Sequence, residues 1–450
     1  MTHRKTAALT GAALLLTAAC STSKGGDDPG TNEQAKPEAS APQLTISPAD
    51  GTGKVKPESK ITVTAANGSI ETVKVTVGGR KVPGEMSADK ASWKSAWTLK
   101  PGATYKVEAT AANPENKSTT ASSTFKTLKA AATFGILDIT PSAGEKVGVG
   151  MPITVTFDRE ITDRKSVERA LEVRSDKAAT GAWYWTAGNQ AIFRTKNGKY
   201  WAANQNVRLI AHLTGAKAAK GVYGTADKSL KFKIGDSHIS VVDTKKKHIT
   251  VRINGKKKKY IPISAGKGGR FVGGVDTYLT TSGVHLTMQK YLVETMTSAW
   301  MGVDPKDKKN GGYEEKIPYA VRISDSGEYV HSMASRVWGM GRYNLSHGCV
   351  NAPPAFAQWF YGIFQRGDVV TVTGTKRKLA WNNGWSFYQM PWKEWVKGGA
   401  LDREISTGPA ADEEASPSPA PSTPASPSVS PSAPVSPSTP VSSTPSVSAS

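Results

Sequence analysis

One stretch of this chain is written twice. Leu44-Thr-Ile46-Ser-Pro48-Ala-Asp-Gly51 aligns with Leu137-Asp-Ile139-Thr-Pro141-Ser-Ala-Gly144, and Ile61-Thr-Val63-Thr64 aligns with Ile153-Thr-Val155-Thr156. The offsets, 137 − 44 = 93 and 153 − 61 = 92, agree, so the chain contains a structural unit of that size used twice. Within the first copy, runs such as Val73-Lys-Val75-Thr-Val77 and Tyr105-Lys-Val107-Glu-Ala109 alternate apolar and polar residues between Gly, Pro and Asn turns, the pattern of half-buried strands. A unit of about 90 residues with about seven such strands matches an immunoglobulin-like β-sandwich. We expect one sandwich over residues 43–128 and a second over 129–236. Neither holds a cysteine pair or a cluster of polar residues, so their expected role is to space and orient the C-terminal half of the chain, with glycan binding as the alternative.

At 450 residues the chain exceeds one compact core, and a third texture begins after the sandwiches. His238-Ile-Ser-Val-Val242, His248-Ile-Thr-Val-Arg-Ile253 and Lys259-Tyr-Ile-Pro-Ile-Ser264 read as strands, with the hairpin signal Asn254-Gly255 between the last two. Val369-Val-Thr-Val372 reads as a closing strand, giving a β-rich domain over 237–375. Residues 376–404 hold Trp381, Trp385, Trp392 and Trp395, an aromatic load that predicts a small subdomain docked on the preceding domain. Residues 405–450 form the tail; from Ala415 onward they contain only Ala, Ser, Pro, Thr and Val, which bury no core. The fold class is therefore mainly β.

The first nineteen residues read as a signal peptide: Arg4 and Lys5, then an apolar run through Leu14-Leu-Leu16 too short to span a bilayer. The run ends at Leu16-Thr-Ala-Ala-Cys20, which is similar to a bacterial lipobox. Cleavage before Cys20 and acylation of its thiol would anchor the chain to the membrane, with residues 20–42 as a flexible tether. Plain secretion is the alternative. The chain has only two cysteines, so an acylated Cys20 leaves Cys349 as the one free thiol of an exported protein. The net charge of +21 includes an acid-free run over 244–259 with eight Lys or Arg. An exported chain meets no genome and the run lacks stacking aromatics, so no nucleic-acid partner is expected; anionic headgroups, wall polymers or plain solvation account for it.

A thiol needs a base or cation before it becomes a nucleophile. Of seven histidines, His331 and His347 lie just upstream of Cys349. His331 follows the strand-like Glu328-Tyr-Val330, so it stands at a strand end from which it can reach the thiol. In Ser346-His-Gly348-Cys349-Val-Asn351, Gly348 permits a tight turn that aims the amides of Gly348 and Cys349 at a developing oxyanion. Three plainer readings compete: a buried structural thiol, a zinc site made from His331, His347 and Cys349, and a His347 that only satisfies backbone groups. A zinc site has neither a second cysteine nor a standard ligand spacing.

The string from His331 through fifteen residues to Ser346-His-Gly-Cys349-Val-Asn351 resembles the signature of the L,D-transpeptidase (YkuD-type) family. The resemblance extends to Lys259–Gly266, Thr281-Ser-Gly283, Met296, Gly312-Tyr313 and Tyr319–Ser332, and the domain order is similar to that of the mycobacterial-type enzymes. It implies that Cys349 attacks the third residue of a peptidoglycan stem tetrapeptide and expels D-Ala. A second stem amine then resolves the thioester as a 3→3 cross-link. It also implies that His331 is the base, oriented by the Ser332 backbone carbonyl, and that His347 supports the oxyanion. Tyr313 and Met296, with Ser346 and Asn351, would line the substrate path under a lid at 304–312, and carbapenems would acylate Cys349. No cofactor is implied. Two alternatives stay open: an L,D-carboxypeptidase, with water in place of the acceptor amine, and a non-catalytic wall-binding lipoprotein.

Overall fold

The computed structural model describes residues 40–310 and 312–409; the expected signal peptide, Cys20 and nearly all of the tail lie outside them. Strands hold 45% of the described residues and helices 10%, which makes the fold class mainly β. No helix among the described residues is long and apolar enough to cross a membrane.

The chain divides into two compact units. In the first, two four-stranded antiparallel sheets face each other. One runs Gln43–Ser47, Thr62–Ala66, Ser92–Ser95, Gly84–Met86, and the other Arg80–Lys81, Ser69–Val77, Thr104–Ala112, Ser118–Lys126. The alternation read from the sequence sets which side is buried: Val107, Ala109 and Ala111 lie inside and Lys106, Glu108 outside. Tyr105 and Phe125, opposite each other on neighbouring strands of one sheet, stack on its buried face with centroids 5.3 Å apart.

The second unit opens with the second sandwich, built of a five-stranded and a four-stranded sheet. The repeat read from sequence recurs in conformation, since Gly51 and Gly144 both adopt left-handed φ, +71° and +75°. This sandwich is not separate from the domain after it. Leu286, Val369 and Tyr388 belong to the same buried cluster as Val147, Met151, Phe157, Phe193 and Trp201, so the second sandwich and the next domain share a core.

That next domain packs two sheets over a second apolar cluster that includes Val242, Val251, Val330, Val350 and Val372, closed by the helix Pro354–Ile363. One sheet has the order Lys256–Pro262, His248–Ile253, His238–Asp243, Val369–Thr373, Gly283–Leu286. The strongly basic Lys256-Lys-Lys258 lies exposed on its outer strand, where charge discourages pairing with another edge. The other sheet runs Lys290–Thr297, Glu314–Arg322, Tyr329–Ser332, Val350–Ala352.

The Trp-rich segment docks on the domain immediately before it, as expected, where Val284 N–H donates to Gln389 Oε1 at 2.6 Å and Leu379 N–H to the Ser282 carbonyl at 3.0 Å, and it docks on the second sandwich as well. Trp395 is fully buried, donates Nε1–H to the Ala182 carbonyl at 3.0 Å, and stacks on Tyr184 at 4.7 Å. Arg194 of the sandwich, also fully buried, inserts among Trp395, Tyr388 and Trp392 at 4.4, 5.0 and 5.1 Å and donates to the Met390 carbonyl at 2.9 Å. The order continues past Glu404, where the tail was expected to begin, because Ile405–Ser406 joins the sandwich as an antiparallel strand against Thr180–Gly181. The physical reason for the contact with the sandwich is the apolar face of the strand Thr180–Ala187, which Phe387, Met390, Trp395 and Val396 of the C-terminal segment cover.

Candidate active site

His331 and Cys349 come to line the same narrow cavity because of strand alternation. Tyr329–Ser332 pairs in parallel with Val350–Ala352, with Val330 opposite Val350 and His331 opposite Asn351. Val330, Val350 and Ala352 face the core, so Tyr329, His331, Cys349 and Asn351 all face the other way. On that side two cavities share a wall. A larger one, about 510 Å³, is lined by Glu294, Arg322, Glu328, Tyr329, Gly348 and Arg377 among others. A narrow one of about 40 Å³ reaches His331, Arg336, Ser346 and Asn351. Met296, Tyr313, His347 and Cys349 border both.

His331 is buried, and its Nδ1 donates to the Ser332 carbonyl at 2.8 Å. A carbonyl can only accept, so the ring proton sits on Nδ1 and Nε2 keeps its lone pair. Burial pushes the imidazole down to about 4, with the cation of Arg336 acting in the same direction and the Ser332 bond against it. The Cys349 thiol donates to the Gly327 carbonyl at 3.6 Å. Burial pushes it up to about 12, and the Glu328 carboxylate adds to this, while a backbone hydrogen bond from Tyr329 opposes it. The resting site is therefore a neutral thiol beside a neutral imidazole.

Gly348 carries φ +135°, a value that only glycine adopts without strain. The turn differs from the one expected from sequence. The Gly348 N–H, assigned there to an oxyanion, donates to Ser346 Oγ at 3.1 Å, and that hydroxyl donates to the Cys349 carbonyl at 2.6 Å. Ser346, expected to meet substrate, spends its hydroxyl as a clasp on the nucleophile's own loop. A serine two residues before an amide makes this local bond readily. Asn351 is the opposite case: fully buried against the narrow cavity, with neither amide atom hydrogen-bonded to the protein.

His347 lies between two tyrosines, stacked on Tyr313 at 5.2 Å and tilted against Tyr278 at 4.6 Å. Burial, then Lys267, Arg336 and Arg270, push it down to about 4. Of the described residues in the loop 304–312, none lines either cavity. Among the described residues, no three His, Cys, Asp or Glu side chains are grouped to hold a metal ion.

Sequence reasoning missed the support beneath the thiol. Glu328 is buried and accepts from Thr281 N–H and Oγ1–H, both at 2.6 Å, and from His285 Nε2 at 3.3 Å. Burial raises this carboxyl, but the bonds from His285 and Thr281 outweigh it and hold it below the usual range. Glu328 thereby fixes the segment whose Gly327 carbonyl and Tyr329 backbone contact the sulfur. Tyr278 and Arg377 were also missed, as were Arg322 and Arg336, which fall inside quoted stretches but were assigned no role there.

Fold and site together define a chain of immunoglobulin-like sandwiches leading to a β-rich domain with a cysteine–histidine pocket. Residues 52–217 match the model of a bacterial Ig domain, and residues 237–372 that of the L,D-transpeptidase catalytic domain. The chain is 33% identical to L,D-transpeptidase 2 of Mycobacterium tuberculosis over 361 residues, which cover 80% of this chain and 85% of that one. It is 28% identical to L,D-transpeptidase 5 of the same species over 372 residues, covering 80% and 78%. Among solved structures, LD transpeptidase LdtMt1 in complex with imipenem is 30% identical with a TM-score of 0.44, covering 53% of this chain and 99% of that one. The chain belongs to the L,D-transpeptidase family.

Proposed function

We propose that this chain is a peptidoglycan L,D-transpeptidase that forms 3→3 cross-links through a thioester on Cys349, held to the outer face of the cell membrane by a lipid on Cys20. The observation that carries this reading is that Cys349 and His331 line one narrow cavity while Cys349 also opens onto a cavity of about 510 Å³, room for a peptide at the thiol.

In this mechanism the thiol proton leaves its Gly327 bond for His331 Nε2 as sulfur attacks the donor carbonyl. The Cys349 amide and the His347 ring bear the oxyanion, since the Gly348 amide is bound to Ser346. Collapse breaks the amide bond, and the D-Ala amine leaves with the proton from His331. The acceptor's side-chain amine then gives a proton to His331, attacks the thioester and releases the sulfur, which is reprotonated. One amide bond is exchanged for another, so no energy source is required outside the cell. In this reading the Asn351 amide, whose two polar atoms have no protein partner, would bind a polar group of the peptide at the narrow cavity.

The test incubates the protein with disaccharide-tetrapeptide and weighs the products. A dimer lighter than two substrates by one D-Ala is expected. Tripeptide alone would make the protein a carboxypeptidase, and either product persisting with Cys349→Ala would end the mechanism. A carbapenem should add its mass to Cys349 in the wild type only. Mass analysis of the membrane-extracted protein should find a diacylglycerol at Cys20, and its absence would point to plain secretion.

A further inference from the structure

The narrow cavity opens beside a surface that the chemistry does not use. The short helix Ala334–Gly339 follows the His331 strand; Arg336, and Met333 just before it, line the cavity. The next residues turn outward, leaving Trp338 67% and Tyr343 56% exposed. Tryptophans elsewhere in this chain, such as Trp183, Trp201 and Trp395, are fully buried, so this exposure is not a general property of the sequence.

The rings are held in place. The N–H groups of Tyr343 and Arg342 both donate to the Gly339 carbonyl, at 2.8 and 3.1 Å, and set Trp338 and Tyr343 side by side with centroids 6.2 Å apart. A Cβ on Gly339 would lie 2.6 Å from Leu345 Cδ1, so the turn closes tightly. The chain then seats Gly341 against the neighbouring hairpin through a 3.0 Å bond from its N–H to the Ile263 carbonyl. There His248 and Tyr260 stack at 4.5 Å, with Tyr260 54% exposed. Gly341, at φ +78°, would bring a Cβ within 3.0 Å of Pro262 Cβ and 3.9 Å of His248 Cε1. One exposed and one half-exposed aromatic pair thus flank a bare glycine, on the segment that runs between Arg336 and Ser346, both of which line the narrow cavity.

Such a strip suits one kind of partner. Exposed Arg342 and half-exposed Asn344 interrupt it, so it offers separate flat faces and not the continuous apolar patch that a helix or another domain would cover. Separate flat faces fit the C–H faces of pyranose rings, with polar neighbours available to sugar hydroxyl and amide groups. A stem peptide is also short and covalently tied to its glycan. Any peptide with its reactive carbonyl at Cys349 must bring sugars near the narrow cavity. We propose that Trp338 and Tyr343, extended by Tyr260, form a stacking platform for the N-acetylated sugars of the glycan strand that carries the stem peptide. This rests on the peptidoglycan reading above and adds to it a sugar subsite outside the catalytic pocket.

The test uses the full-length chain in detergent, with Trp338→Ala/Tyr343→Ala and the conservative Trp338→Phe. Peptide-free glycan strands should quench the wild-type tryptophan fluorescence and co-sediment with the protein, and the double variant should do neither. With donors, the double variant should lose about tenfold in kcat/KM on disaccharide-tetrapeptide, mainly through KM, and stay within about twofold on the free tetrapeptide. Trp338→Phe should recover most of the loss. The binding and turnover arms separate the two readings: glycan binding by a wild type that turns over neither donor supports the platform and ends the transpeptidase reading. The platform is overturned by wild type that fails to bind naked glycan, by equal losses on both donors, or by a double variant that loses only its hold on anionic phospholipid vesicles.

Discussion

A thiol held up near 12 and an imidazole held down near 4 make Cys349 and His331 an uncharged pair at neutral pH, unlike a preformed thiolate–imidazolium pair. Two outcomes are expected at this scale. The acid limb of kcat/KM should fall near pH 4, where His331 gains its proton, and a limb near 6.5 would contradict the burial of this ring. Alkylation of Cys349 by iodoacetamide should climb with pH and show no plateau between 6 and 9, because no thiolate pool forms there. Stability carries the same sign. His331 and His347 both sit below the 6.5 of a free histidine, so the unfolded chain takes up protons first. Their stabilisation is complete above 6.5 and is lost as pH falls toward 4, which thermal melts across that window would measure. Ser346→Ala should leave the fold intact but cost about 10-fold or more in kcat, since it frees both the Gly348 amide and the Cys349 carbonyl. Cys349 and His331 were legible because their types and positions bear chemistry directly. Ser346 was not, because its residue type serves a substrate or a turn equally well and only the hydrogen bonds decide.

At the scale of elements, the site depends on a parallel pairing that no sequence signal announces. Tyr329–Ser332 and Val350–Ala352 each read as strands, but nothing in either run says they are neighbours, and that adjacency puts His331 next to Asn351. The buried Glu328–His285–Thr281 cluster was equally illegible, its members lying 47, 43 and 4 residues apart in the pairs that bond. It supports a prediction. Glu328→Ala removes the carboxylate that a fully buried histidine and both Thr281 donors bond, and should cost about 3–5 kcal/mol in urea unfolding, with Glu328→Gln markedly milder. The Trp-rich segment was seen as a docking element from its aromatics, yet its landing site on the second sandwich was missed because Arg194 looks like any surface arginine in sequence. Trp395→Ala removes both a filled core position and the ring 4.4 Å from that guanidinium, for an expected loss of about 3–5 kcal/mol.

For the molecule as a whole, the repeat period, the strand alternation and the motif order disclosed the mainly β architecture. The sharing of one core by the second sandwich and the catalytic domain was not disclosed, because apolar residues that face a neighbouring domain look like those that face their own. Removing residues 129–236 would expose Leu286, Val369 and Tyr388 together, so the remaining 237–409 should aggregate or lack cooperative melting. Calorimetry of the intact protein should resolve one transition for the first unit and a single, larger one for everything after it. Separate transitions for the second sandwich and the catalytic domain would refute the common core.

The short strand Ile405–Ser406 lies against Thr180–Gly181, more than two hundred residues earlier in the chain. A ribosome delivers Thr180 long before Ile405, so the sheet it belongs to waits with an open edge while the catalytic domain is still being made. Completion is therefore timed by the arrival of Ile405 and Ser406. Such a long-range closure favours a late, slow step, and it makes a chain truncated before Ile405 a sensitive substrate for quality-control proteases even though every catalytic residue is already present.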